Sequence, residues 1–91
     1  MNDTDKLLVQ LMEESGEIVQ ACSKILRFGF FSFHPDDVTQ TSNVTNLARE
    51  IGNLLSIVDA LDAWKLLDLD QVKIGFDKKK ETLVKYGNIN K

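Results

Sequence analysis

Cysteine, proline, histidine and tryptophan occur once each in this chain of 91 residues, as Cys22, Pro35, His34 and Trp64. A lone cysteine cannot close an internal disulfide, so no covalent staple holds the fold. One histidine leaves no second imidazole for a His-based metal site and no partner arrangement for a serine triad. The Glu-x-x-His pairs of a di-iron carboxylate bundle are excluded for the same reason. Basic excess is also missing, since 11 Lys and Arg face 14 Asp and Glu for a formal charge of −3. A general nucleic-acid binder usually carries a basic face, so nucleic acid is not an expected partner. No apolar stretch is long enough to span a bilayer, and the opening MNDTDK lacks the apolar run of a signal peptide. No membrane partner is expected, and the expected location is the cytoplasm. Internal repeats, low-complexity tracts and the apolar–polar alternation of half-buried strands are all absent from the sequence.

What remains is helical periodicity. A first helix is expected from about Thr4 to about Arg27, capped by Asp3 or Thr4 and ended by Gly29. A second runs from Asn43 or Asn46 to Trp64 or Lys65, and a third is capped by Asp68 and ends at Gly87. The third places Leu69, Val72, Phe76, Leu83 and Tyr86 on one side. Between them, FGFFSFHPDDVTQTSN (28–43) keeps neither period and reads as a loop with one short turn. The class is all-α in a single domain, 1–91. A chain this short buries only about 60 to 65 per cent of its unfolded surface. Helix one also offers Leu8, Val9, Val19 and Leu26 besides its main stripe. The expectation is therefore a three-helix chain that forms a four-helix-bundle core as a homodimer, or assembles further to a tetramer.

The main stripes carry acids. The first reads Leu7, Leu11, Glu14, Ile18, Ala21, Ile25, and the second reads Asn46, Glu50, Asn53, Ile57, Ala60, Trp64. Both follow the spacing of a buried helix face. Glu14 with Glu17, and Glu50 with Asn53, are three residues apart, so each pair points its oxygens to one side. Carboxylates turned toward a low-dielectric interior are costly without a compensating charge, and neither stripe contains Arg or Lys. A bound divalent cation is the economical compensation, and glutamate oxygens suit Mg²⁺, with Mn²⁺ as the alternative. The competing reading is a set of ordinary solvated helix residues.

The runs LMEESGEIVQACSKILRFG and LAREIGNLLSIVDAL resemble the MazG-type, all-α nucleoside triphosphate pyrophosphohydrolases, whose pattern is E-E-x-x-E on one helix and E-x-x-D on the next. Glu13, Glu14, Glu17 and Glu50 match that pattern, and Asn53 stands where the family has aspartate. The likeness covers roughly residues 5 to 65, with a fainter echo in KKKETLVKYG, and the acids stand further apart than the family usually shows, the surplus lying in the loop. The resemblance implies Mg²⁺-dependent hydrolysis of nucleoside or deoxynucleoside triphosphates to monophosphate and pyrophosphate, in the service of nucleotide-pool house-cleaning. It implies Glu14, Glu17, Glu50 and Asn53 as metal ligands. Glu13 lies about 40° around the helix from Glu17 and would orient or deprotonate the attacking water. The alternative function is a catalytically silent helical homodimer that binds nucleotide or a protein partner, with Asn53 marking the lost activity.

Other residues divide between a functional and a structural reading. Lys24 and Arg27 either contact substrate phosphate or pair along the helix with Gln20 or Glu17. Within the lysine-rich run, Lys79 or Lys80 and Tyr86 resemble the family's C-terminal phosphate-contacting segment, against the ordinary reading of a solvated charged face. Phe28, Phe30, Phe31 and Phe33 are expected to plug the end of the bundle rather than stack on a base. Trp64 is expected in the core or at a dimer interface. Cys22, among Ile18, Val19 and Ile25, is expected as a buried small hydrophobe.

Overall fold

The computed structural model describes residues 1–85, and these form three helices: α1 (Asp3–Phe28), α2 (Asn43–Ala63) and α3 (Leu69–Lys85). No strand occurs among the described residues, so the all-α class holds. The expected end of α3 at Gly87 lies outside the described residues. The chain separates into two compact units, Met1–Ala60 and Leu61–Lys91, with the boundary inside α2.

The first unit is an antiparallel helical hairpin, α1 against α2, whose two helices meet along the loop between them. Asn2, one residue before the expected caps, starts α1: its side chain accepts from the Asp5 amide at 2.8 Å. Asp3 and Asp5 in the first turn and Arg27 in the last both suit the helix dipole. At the far end Gly29 has φ 95 and ψ 161, a region open essentially to glycine alone, and its amide closes on the Ile25 carbonyl at 2.7 Å. The chain then turns back. Amides of Asn43 and Val44 donate to the carbonyls of Ser32 and Phe30, each at 2.8 Å, which satisfies donors that the start of α2 would otherwise leave unpaired. The buried Asn43 side chain donates from Nδ2 to the Gly29 carbonyl at 3.0 Å, tying the end of α1 to the start of α2.

The loop is more ordered than its sequence suggests. Asp37 accepts from the Thr39 amide, the Thr39 hydroxyl and the Thr41 amide at 2.9, 2.6 and 2.9 Å. The Thr39 hydroxyl first, then the Thr41 and Thr39 amides, hold the Asp37 carboxyl below its usual range. Phe28, Phe30, Phe31 and Phe33 do not plug the bundle end; all four are exposed, Phe31 at 83%.

Along α1 the line Leu7, Leu11, Glu14, Ile18, Ala21, Ile25 is half-buried or buried throughout. Cys22, by contrast, is exposed, which corrects the expectation of burial. It sits one position past Ala21 and so about 60° around the helix from the centre of that line. On α2, Asn46, Glu50, Ile57 and Ala60 are half-buried, whereas Asn53 and Trp64 are exposed, so Trp64 is not a core residue of this chain. Trp64 falls beyond the last helical residue, where the periodicity no longer applies.

The second unit opens with the end of α2. Lys65 adopts φ 58 and donates to the Asp62 carbonyl, while Leu66 donates to the carbonyl of the buried Leu61, both at 2.9 Å. These two bonds make a Schellman termination with lysine in the position glycine usually fills. Asp68 then caps α3 by accepting from the Gln71 amide at 3.2 Å. On α3, Lys73 and Asp77 pair at 2.8 Å, and Leu69, Val72 and Phe76 are exposed. No helix among the described residues is long and apolar enough to cross a membrane.

Candidate metal centre

Glu14 and Glu17 stand one turn apart on α1 and Glu50 stands on the facing α2, all inside the first unit. One carboxylate oxygen from each lies within 4.8 Å of the other two. Glu14 and Glu50 are half-buried and Glu17 is exposed, so the trio forms a mouth with two shielded acids and one wet one. Oε2 of Glu14 and Oε2 of Glu50 are buried with no hydrogen-bond partner. Buried polar oxygens normally find a donor, and two unpartnered anionic oxygens from different helices at one point are costly.

The strain of this arrangement appears in the protonation of Glu50. Its carboxyl is raised above the usual 4.5, first because a proton there would be shared with the Glu14 carboxyl, then by loss of water and by the Glu14 charge. Hydrogen bonding from Glu17 and Asn53 pulls the other way and loses. A divalent cation fits this donor set. Three hard oxygens brought together from two facing helices would suit Mg²⁺ or Mn²⁺.

The trio opens onto a groove of about 240 Å³ between the two helices, lined by Glu17, Glu50, Lys24, Asn43 and Asn46 among others. A second groove of about 490 Å³ continues from it, sharing Lys24, Asn43 and Asn46 and adding Arg27, Phe28, Phe33, His34 and Asp37. The second volume lies within the range of small-molecule sites, roughly 300–1,000 Å³, and the first falls short of it. Acids therefore occupy one end, a lysine and two asparagines the middle, and arginine, aromatics and a loop histidine the other. The Arg27 guanidinium lies 5.1 Å from the centre of the Phe28 ring. His34 accepts at Nδ1 from the Asp36 amide at 3.1 Å, which leaves Nε2 as its donor.

Other residues singled out in the sequence have different placements. Glu13 is exposed on α1 and stands outside the trio. Asn53 is exposed on α2 one turn from Glu50, and its hydrogen bonding favours the charged form of that acid. Lys79 is exposed on α3 in the second unit, and Tyr86 lies outside the described residues. Asp37 is no candidate in the sequence, and Asn43 figures there only as an expected start of the second helix. The Asp-x-Thr spacing at 37–39, a familiar side-chain-to-backbone turn, is the signal for Asp37; Asn43 gave none, because its bond to Gly29 spans 14 residues. Comparison with protein-family models, with curated proteins and with solved structures finds no match for this chain.

Proposed function

We propose that this chain is a divalent-metal-dependent pyrophosphohydrolase of nucleoside or deoxynucleoside triphosphates, of the MazG type that its acidic motifs resemble. One observation carries the reading: the Glu14–Glu17–Glu50 trio, with two shielded oxygens lacking donors, opens directly onto a groove that holds Lys24. Glu14, Glu17 and Glu50 would hold Mg²⁺ or Mn²⁺. A cation bound there supplies charge neutralisation for the phosphates. Lys24 holds phosphate oxygens in the groove beside the trio, and Arg27 lies further along where the ligand extends. Asn53 favours the charged form of Glu50, against the larger opposing effect of the neighbouring Glu14. Glu13 is the candidate acceptor of the proton of the attacking water. In the balanced step, water oxygen bonds to the α-phosphorus, the α–β bridging bond breaks, and pyrophosphate departs with its electron pair. Nucleotide-pool house-cleaning in the cytoplasm goes with this reading, since the substrates are pooled there.

The same proposal includes a homodimer with a four-helix-bundle core, because α1 leaves large apolar side chains uncovered. The second reading is a catalytically silent homodimer that binds nucleotide or a protein partner, and Asn53, an amide where the motif has aspartate, is the observation that favours it. The two separate on one assay. The chain is incubated with each triphosphate and Mg²⁺, and pyrophosphate is measured; release that Glu50→Gln abolishes supports hydrolysis. No release from either the natural chain or Asn53→Asp leaves the silent reading standing.

A further inference from the structure

An uncovered line on α1 follows a different repeat from its core line. Leu8, Met12, Ser15, Val19, Cys22 and Leu26 alternate steps of four and three, the 3.5-residue period of a helix that packs along another helix. All six are exposed, with Met12 at 72%, Val19 at 68% and Leu26 at 87%. The line runs over 18 residue steps, about 27 Å of helix. Its one hydroxyl is already satisfied, because Ser15 donates from Oγ to the Leu11 carbonyl at 2.7 Å. Covering Ser15 therefore strands no polar hydrogen.

We infer that this face docks on the same face of a second copy, α1 against α1 in antiparallel order, with residues whose numbers add to 34 placed level. Leu8 then meets Leu26 of the second copy, Met12 meets Cys22, and Ser15 meets Val19. Two of these three layers set a longer side chain against a shorter one, which is how close-packed interfaces fill space. In heptad terms each layer joins an a to a d position, the arrangement antiparallel pairs adopt. Charge selects the same direction. The charged residues of α1 nearest this line are Asp5 at its acidic start and Arg27 at its basic end, about 60° and 100° around the helix from Leu8 and Leu26, while Glu13, Glu14, Glu17 and Lys24 lie on the far side. An antiparallel copy sets the acidic end beside the basic end and opposes the two helix dipoles; a parallel copy would stack like on like. This deepens the two-fold association proposed above and owes nothing to hydrolysis.

The test uses the full chain. Light scattering is expected to give twice the 10.3 kDa chain mass, and Val19→Glu to return it to the single-chain value with unchanged helix content. In the antiparallel register the two Cys22 residues stand ten positions apart, about 15 Å, beyond the roughly 7 Å reach of a disulfide. Mild oxidation should therefore leave the natural chain largely uncrosslinked and convert Met12→Cys to covalent dimer through the Cys22 of the second copy. Ready crosslinking of the natural chain would overturn the direction, and a dimer that survives Val19→Glu with Met12→Cys uncrosslinked would overturn the face. A single-chain mass for the natural protein would remove both this inference and the bundle. Pyrophosphate release is scored on the same samples: its absence from an intact, crosslinkable dimer counts against the hydrolase alone.

Discussion

Replacing Glu50 by glutamine tests the physical basis of the site without relying on turnover. The Glu50 carboxyl is raised above 4.5 in the folded chain because Glu14 stands beside it. A group whose folded value is raised stabilises the fold fully below its unfolded value, and that contribution is lost as pH rises through the folded value. The metal-free natural chain should therefore lose stability from about pH 4.5 upward. Glu50→Gln cannot ionise, so the loss should vanish and the variant should melt at or above the natural chain at neutral pH.

The cation reverses that order. A ligand that binds only the folded state at ten times its dissociation constant adds about 1.4 kcal/mol, from RT ln(1 + [L]/Kd). At roughly 4 to 8 °C per kcal/mol for a domain of this size, the natural chain should gain about 6 to 11 °C from Mg²⁺ or Mn²⁺. The variant, lacking the bridge between α1 and α2, should gain about 1 °C or less on the same scale. Far-ultraviolet circular dichroism melts in chelator, then in each metal, at several pH values, give all four curves. If the natural chain and Glu50→Gln keep parallel pH profiles and neither responds to metal, the trio is a set of solvated acids and the reasoning fails.

Three further outcomes follow from local features. Asn53→Asp adds a carboxylate one turn from Glu50, so calorimetric Mn²⁺ affinity should rise by on the order of tenfold, as more ligand charge tightens oxygen sites. Gly29→Ala should lower stability by about 1 to 3 kcal/mol in chemical denaturation, even though no atom lies within 4 Å of the added methyl, because φ 95 with ψ 161 strains any side chain-bearing residue. Asp37→Ala should speed hydrogen exchange at the Thr39 and Thr41 amides, and in the natural chain that protection should fade as pH drops below 3.8, since a lowered carboxyl stabilises above its unfolded value.

The regular parts were legible because a helix writes its buried face into the sequence at a fixed interval. Leu7, Leu11, Ile18, Ala21 and Ile25 keep that interval for five turns, and the two glutamates on the same side of α1 could be placed against Glu50 before any coordinates. The same rule misplaced Cys22, whose neighbours Ile18 and Ile25 belong to the core line while Val19 belongs to the next face round. It also ran past the end of α2 and drew in Trp64. The loop was opaque for another reason. Its order comes from the Asp37 carboxylate and from the carbonyls of Phe30 and Ser32, and backbone acceptors have no residue type to betray them. For that reason the second groove, with Phe33 and His34 beside Arg27, could not be assembled from spacing.

The amide at position 53 has a consequence for the order in which ligands arrive. Three carboxylates and one divalent cation leave the mouth with a net charge of −1, and a fourth carboxylate would leave −2, against a triphosphate that is itself strongly anionic. Under the proposed function, Asn53 would weaken the hold on free metal while lowering the repulsion that a triphosphate meets, and Lys24 in the adjoining groove would lower it further. Metal and triphosphate should then each tighten the other by the same factor, since coupling free energies are reciprocal. Typical couplings of 1 to 3 kcal/mol correspond to about 5- to 150-fold. Calorimetric titration of Mn²⁺ into the chain with and without a non-hydrolysable triphosphate, and of the analogue with and without Mn²⁺, measures both factors. Corrected for the metal the analogue binds by itself, the two should agree, and both should shrink in Asn53→Asp. Equal Mn²⁺ affinity in the presence and absence of the analogue would mean that the trio and the groove do not serve one ligand.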